Sequence, residues 1–316
     1  MKLKLRVGFL IGVLFYVLFF YYFFTRVNFY QIALIFQNGL WYYLLAAILA
    51  AAIMIFWQGY LVKDVFRLYN IPMTFKEAVA LWLLMVVSGA FTIGLGGPAL
   101  IFYQVKKIGG FKLASKITTS FYFFYLTPNV LFILLGLFFF FPATLIFSTS
   151  KILNYLVLTL LIIALIIFLI ILFGSGNEWL DRLREYFIKI KKIVFRLPFR
   201  KIIQNLLIST LEVVFDFLIF IFIFKAFQIQ INFIEILKNF IVFEIFAIFS
   251  PTGGGLGIVE VGLTGSLFLS GLPASVAAFI VLAYRLISFW LPFVLGGVIF
   301  AFRYRDIFGQ KYQKNE

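Results

Sequence analysis

This chain of 316 residues has no cysteine and no histidine, and only 12 of its side chains are acidic. Without cysteine there is no disulfide, no thiolate nucleophile and no sulfur-ligated metal site. Without histidine the usual imidazole base and the commonest metal ligand are missing too. Neither a metal nor a cofactor is expected, no residue is assigned a catalytic role, and the chain does not read as an enzyme. Charge of either sign is scarce at 12%. Apolar side chains are abundant: 64% of residues are hydrophobic and 21% aromatic, 46 of them phenylalanine. That composition lies far outside soluble domains, and its runs are long enough to cross a bilayer. The fold class that follows is an all-α integral membrane protein, with residues 1–316 forming a single membrane domain. The formal charge of +15 would in a soluble protein point to nucleic acid. Here the basic residues fall between apolar runs, which is the positive-inside pattern, so anionic lipid at the cytoplasmic surface is the expected partner and nucleic acid is not.

Lys2, Lys4 and Arg6 precede an apolar run at 7–24 that ends in bulky aromatics rather than a small-residue cleavage site. It reads as an uncleaved first span with a cytoplasmic N-terminus. A second span at 40–62 follows a loop whose only charge is Arg26, hence external, and leads to Lys63, Arg67 and Lys76. The next apolar stretch, 78–105, is interrupted by Gly94, Gly96, Gly97 and Pro98 and followed by Lys106, Lys107, Lys112 and Lys116. A single crossing would strand this basic cluster outside, whereas two half-helices that enter and return keep it cytoplasmic, so the hairpin is the expectation. Spans at 117–141 and 152–173 come next, then a basic connector at 175–201 expected to lie on the cytoplasmic surface. A fifth span at 202–224, a second broken stretch at 233–270 and a sixth span at 274–301 complete the chain. Arg303, Arg305, Lys311 and Lys314 then put the C-terminus in the cytoplasm. Six full spans and two re-entrant half-helix hairpins reconcile the loop charges of a multi-pass protein of the cell membrane.

A shift of 160 residues lays the second span on the fifth, the first broken stretch on the second, and the third span on the sixth. It pairs Thr92 with Thr252, Gly94 with Gly254, Gly97 with Gly257, Ala114 with Ala274 and Ser115 with Ser275. The two copies, about 7–141 and about 152–301, each hold three full spans. An odd number makes them an inverted repeat, with hairpins entering from opposite sides and a site near the midplane.

The second break, Pro251-Thr252-Gly253-Gly254-Gly255-Leu256-Gly257, cannot be a membrane helix and is tolerated at depth only where protein or a polar cavity surrounds it. Each returning half-helix would start near the midplane, with Pro98 suited to the first turn of one. Thr92 and Thr252 would cap free backbone groups. Converging N-termini at Gly94, Gly96, Gly97 and at Gly253, Gly254, Gly255, Gly257 would then offer bare amides to an anion such as a phosphate headgroup. Arg285 in the sixth span and Glu260 one turn past the glycines are both expected at depth, where unpaired charge is costly, so they are expected to pair. Arg285 either exchanges Glu260 for a lipid phosphate or forms a fixed clamp. Glu212 and Asp216, four apart on one helix face, and Glu244 are candidates for proton coupling or for polar packing. Tyr284, Trp290, Tyr125 and Asn129 are candidate cavity-lining residues.

The run from Gly253 to Pro292, with GGGLGIVEVG, GLPAS and YRLISFWLP, resembles the membrane region of lysylphosphatidylglycerol synthases and of stand-alone membrane relatives. The likeness extends to GLGGPALIFYQVKKIGG around the first break. The resemblance implies a flippase-type domain moving phospholipid, or another phosphate-bearing lipid, between leaflets. This sequence has no aminoacyl-transferase domain in its 316 residues, and it carries Pro98-Ala99-Leu100-Ile101 where many relatives carry charge, so lysyl transfer is not expected. A small-solute or ion transporter on the same scaffold, and a membrane enzyme acting on a lipid-linked substrate, are the alternatives.

Overall fold

The structure, a computed structural model, describes residues 29–92, 96–147, 188–250 and 252–308, together with Val17, Tyr21, Thr25 and Glu185. The expected spans at 7–24 and 152–173, and the start of the basic connector, lie almost wholly outside the described residues. Among the described residues every regular element is helical. They are α1 Phe29–Gln37, α2 Trp41–Leu68, α3 Phe75–Phe91, α4 Gly96–Phe147, α5 Phe199–Ala226, α6 Phe233–Phe249, α7 Ile258–Leu269, α8 Ala274–Arg285 and α9 Leu291–Phe308. A short 3₁₀ turn, Gly253–Gly255, lies between α6 and α7, and a π-helical turn, Leu286–Trp290, joins α8 to α9. Among the described residues, four stretches are long and apolar enough to cross a membrane: Trp41–Leu68, Gly96–Gly136, Phe199–Ala226 and Ala274–Phe302.

The apolar residues of α2 divide by face. Leu45, Ile48, Leu49, Ile53 and Phe56 point outward, while Ala47, Ala50, Ala51, Met54, Leu61, Val62 and Val65 are buried. In water the outward stripe would be an aggregation patch; in hydrocarbon it is the solvated surface. The small inner residues let a neighbouring backbone come close. That neighbour is α5, the helix with which α2 makes its most extensive contact. The two helices run antiparallel: the Leu40 N–H donates to the Ala226 carbonyl at 2.7 Å at one end. Lys201 Nζ meets Asp64 Oδ1 at 3.1 Å and Asn205 Nδ2 donates to Asp64 Oδ2 at 3.0 Å at the other.

Both glycine-broken stretches fold back on themselves. Thr74 opens α3 with a capping box, its hydroxyl accepting from the Glu77 N–H while Glu77 Oε2 accepts from the Thr74 N–H. After 17 residues the helix ends, and a Cβ on Gly96 would lie only 2.0 Å from the Ser88 carbonyl oxygen. A continuous helix would hold residues eight apart about 12 Å from each other, so the chain has reversed. It reverses again at Gly110, whose φ of +75° breaks α4 into two arms; a Cβ on Gly97 would lie 2.6 Å from the Tyr122 hydroxyl. The second stretch repeats the plan. Asn232 caps α6 through the Ile234 N–H, α6 also runs 17 residues, and α7 returns beside it after the glycine turn. Asn239 on α6 donates to Ser270 Oγ at 2.9 Å and accepts from Ser266 Oγ at 2.6 Å, which fixes the antiparallel register. Gly271, at φ +97°, then turns the chain into α8.

Three expectations need correction. The loop before the second span contains a helix, α1. The lysines at 106, 107, 112 and 116 sit on α4 rather than in a loop, because lysine is a good helix former and only Gly110 interrupts the run. The returning half-helix therefore extends to the Gly109–Gly110 bend instead of ending at 105.

Candidate functional site

Charge in the described membrane interior gathers where α5, α6, α7 and α8 meet. Arg285, the last residue of α8, is 4% exposed, and Glu260, in the first turn of α7, is 1% exposed. Arg285 Nε donates to Glu260 Oε1 at 2.7 Å, so the two charges, 25 positions apart in the sequence, pair as expected. Arg285 Nη2 also donates to the Gly254 carbonyl at 2.8 Å, which ties the guanidinium to the glycine turn itself. The wider π turn that follows brings Phe289 under the guanidinium, with 4.3 Å between the guanidinium carbon and the ring centroid.

Glu260 has a second role that corrects the picture of bare amides. Its Oε2 accepts from the Gly257 N–H at 2.6 Å, so the carboxylate already occupies the N-terminus of α7. A helix start favours negative charge, and in this structure the nearest negative charge belongs to the chain. Thr252 is likewise committed: its hydroxyl donates to the Leu256 carbonyl at 2.9 Å and lies 2.8 Å from Ser250 Oγ. Gly254 and Gly255 adopt φ of +63° and +72°, the left-handed region, and a Cβ on Gly254 would collide with the Phe289 ring at 2.5 Å. The glycines thus serve the turn and its close approach to Phe289.

In the first stretch, Gly96 and Gly97 are both buried, against Ser88 and beneath Tyr122 respectively. Thr92 donates to the Ser88 carbonyl at 2.8 Å. Gly94 lies outside the described residues. The two bent stretches are brought together, since α3 packs against the Gly253–Gly255 turn.

Beyond the clamp lies an acidic group. Tyr284, fully buried, donates to Asp216 Oδ1 at 2.8 Å, and Asp216 is also within electrostatic reach of Arg285. Glu212 stands one turn before Asp216, and Glu244 approaches both from α6. Tyr125 of α4 faces all three carboxylates. Trp290 stacks edge-on with Phe289 and Phe293, and Asn129 is held by its own helix, donating to the Tyr125 carbonyl at 3.0 Å. The residue that sequence reasoning missed is Gln58 of α2, 1% exposed, which lies beside Glu212. It is the only strongly polar side chain between residues 41 and 62, and that isolation was the available signal.

A glycine-bent, doubly folded membrane chain with one deep Arg–Glu pair can be set beside known proteins. A family described as the Lysylphosphatidylglycerol synthase TM region matches residues 9–296. A UPF0104 membrane protein of Methanothermobacter thermautotrophicus is 31% identical over 88 residues, 28% of this chain and 26% of the relative. A UPF0104 membrane protein of Pyrococcus horikoshii is 32% identical over 126 residues, 39% of this chain and 36% of the relative. The matched stretches thus span about a quarter and about a third of those two relatives. The family match covers α1 to α8 and the start of α9, and the chain belongs to the lysylphosphatidylglycerol synthase transmembrane-region family.

Proposed function

We propose that this protein is a lipid translocator, carrying a phosphate-bearing headgroup through the polar interior between its two bent stretches while the acyl tails stay in the bilayer. The observation that carries this reading is the Arg285–Glu260 clamp, buried in a predominantly apolar membrane chain and bonded directly to the carbonyl of a glycine turn. In this reading Arg285 exchanges Glu260 and the Gly254 carbonyl for the lipid phosphate. A guanidinium fits because its fork of donors matches phosphate oxygens as well as carboxylate oxygens.

The same reading takes the two halves as an inverted repeat, with re-entrant hairpins from opposite faces and both termini in the cytoplasm. It is supported by the lengths of corresponding elements: α2 and α5 each have 28 residues, and α3 and α6 each have 17. The antiparallel pairing of α2 with α5 is what a two-fold axis in the membrane plane requires of equivalent helices. Family membership supports a lipid-related role, and the basic residues around α3 and α4 suit anionic headgroups at one surface.

The test is purified protein in liposomes with labelled phospholipids of differing headgroup, scored for movement between leaflets. Movement is expected for the wild type and lost for Arg285→Ala in protein that still inserts and elutes as a folded species. Undiminished movement in that variant would refute the role given to Arg285.

A further inference from the structure

The described interior around Arg285 holds four carboxylates, Glu212, Asp216, Glu244 and Glu260, against one guanidinium, and all but the half-buried Asp216 are buried. Glu260 is balanced by Arg285 and Asp216 is solvated by Tyr284. Glu212 has no such arrangement. Its Oε2 is buried with the Gln58 amide beside it, close enough to interact but not in hydrogen-bonding geometry, and both amide atoms of Gln58 and Ser209 Oγ one turn earlier on α5 are buried without a well-formed hydrogen bond. In an apolar interior such unmet polar atoms are costly and call for an explanation.

The chemistry of an amide facing a carboxyl supplies one. An ionised carboxylate has no donor, so it satisfies the amide N–H and leaves the amide oxygen facing negative charge. A neutral carboxylic acid matches the amide twice, its O–H donating to the amide oxygen and its carbonyl accepting from the amide N–H. The surroundings press the same way. Asp216 on its own helix, Glu244 from α6, Tyr125 from α4 and Tyr284 from α8 add no positive charge, and Arg285, which borders Asp216, is bonded to Glu260. Of the Lys201–Asp64 pair, Asp64 lies about two helical turns from Gln58 and Lys201 about three from Glu212, toward one end of α2 and α5.

We propose that Glu212 and Gln58 form a proton-binding site in the membrane interior, closed as an acid–amide pair when loaded and linked to the clamp through Asp216. Only the carboxyl O–H bond forms and breaks, and the proton enters and leaves as such. Losing it places a negative charge one turn from Asp216, drawing Arg285 away from Glu260 and the Gly254 carbonyl. By linkage, an Arg285 engaged elsewhere changes the affinity of Glu212 for its proton. What the proton does rests on the translocator reading; where it binds does not.

The experiment is infrared difference spectroscopy of the full chain in lipid nanodiscs, titrated in potassium and in sodium buffers, with gradient-driven lipid movement measured in parallel. A protonated-carboxyl band is expected in the wild type, absent in Glu212→Gln, and retained at shifted frequency in Gln58→Leu because the amide bond to it is gone. The Gln58→Leu shift keeps the site testable should Glu212→Gln fail to fold. A band unchanged in both variants overturns the proposal, and so does a band abolished by sodium alone, which would make the site a metal-cation site. With labelled phospholipid in liposomes, an imposed pH gradient is expected to stimulate movement several-fold in the wild type and not in Glu212→Gln. A titrating band with no lipid movement under any gradient would leave the proton site standing and sink the translocator. Lipid movement that ignores the gradient, with no such band, would do the reverse.

Discussion

The two bent stretches are built to one plan with different chemistry. Both start with a side-chain cap, run 17 helical residues, break at glycines, return through a shorter helix and turn again at a left-handed glycine. Yet on the shift of 160 residues Leu100 stands where the second stretch has Glu260, and Tyr125 where it has Arg285. Ala52, Phe56 and Leu84 likewise stand where Glu212, Asp216 and Glu244 do. Among the described residues the first bend has no ion pair and is held by the Thr92 hydroxyl on the Ser88 carbonyl, Gly96 against that carbonyl and Gly97 beneath Tyr122. A bend of this shape therefore needs no ion pair to form. The charge in the second half is an addition to the frame, and since burying it is costly, function is the economical reason for its presence.

The strongest way to break this comparison is to remove the clamp. Arg285→Ala leaves Glu260 buried without its cation, which is expected to cost about 3–5 kcal/mol. Tyr125→Ala, at the corresponding position, exposes no such charge and is expected to be milder. Thermal unfolding of both variants in detergent measures the difference, and equal losses would mean that the pair adds nothing beyond packing. A second prediction transplants the charge. Leu100→Glu alone is expected to destabilise by roughly 2.5–3.5 kcal/mol, the scale for a charge at helix centre, and adding Tyr125→Arg is expected to recover part of it. No recovery in the double variant would show that the first bend does not hold these positions in the geometry of the second.

Smaller effects sharpen the picture. A Cβ at Gly296 would meet the Leu83 backbone carbonyl at 2.4 Å, whereas one at Gly136 would meet only the tip of Ile241. Gly296→Ala is expected to cost about 1–3 kcal/mol as overpacking against backbone, and Gly136→Ala less, since a side-chain end can move aside. Chemical denaturation of the two variants would test that order, and the reverse order would contradict the contacts. Finally, Gly254→Ala is expected to lose about 1–2 kcal/mol for the left-handed backbone, with the Phe289 clash added, while Gly97→Ala displaces only a hydroxyl. Unfolding midpoints that ranked Gly97→Ala as the worse would remove the distinction between the two turns.

Much of this was legible because an apolar chain makes its exceptions conspicuous. Arg285 and Glu260 are isolated charges in apolar runs, and each needs the other. The breaks at Gly96–Gly97 and Gly253–Gly257 were visible because glycine runs cannot continue a membrane helix. What could not be read was competition for a partner. The free amides of α7 and the Glu260 carboxylate are both in the sequence, but that one satisfies the other depends on a reach of three residues across a turn of unknown shape. Gln58 was passed over because its significance comes from Glu212, 154 positions later. A second reversal between 105 and 117 follows from the expected hairpin, but its place at Gly110 does not, because the lysines on either side read equally well as a loop or as helix.

The glycines that best express how the halves relate are Gly136 and Gly296, themselves 160 residues apart. Gly136, at the far end of the first half, nestles against α6 of the second, and Gly296 of the second against α3 of the first. Each half therefore grips the other's bent arm as well as its own. α9 is thereby packed on α3, and the outer arm of α4 on α6. The clasp is therefore crosswise: each of these two glycines seats a helix of one half of the chain against the bent arm of the other.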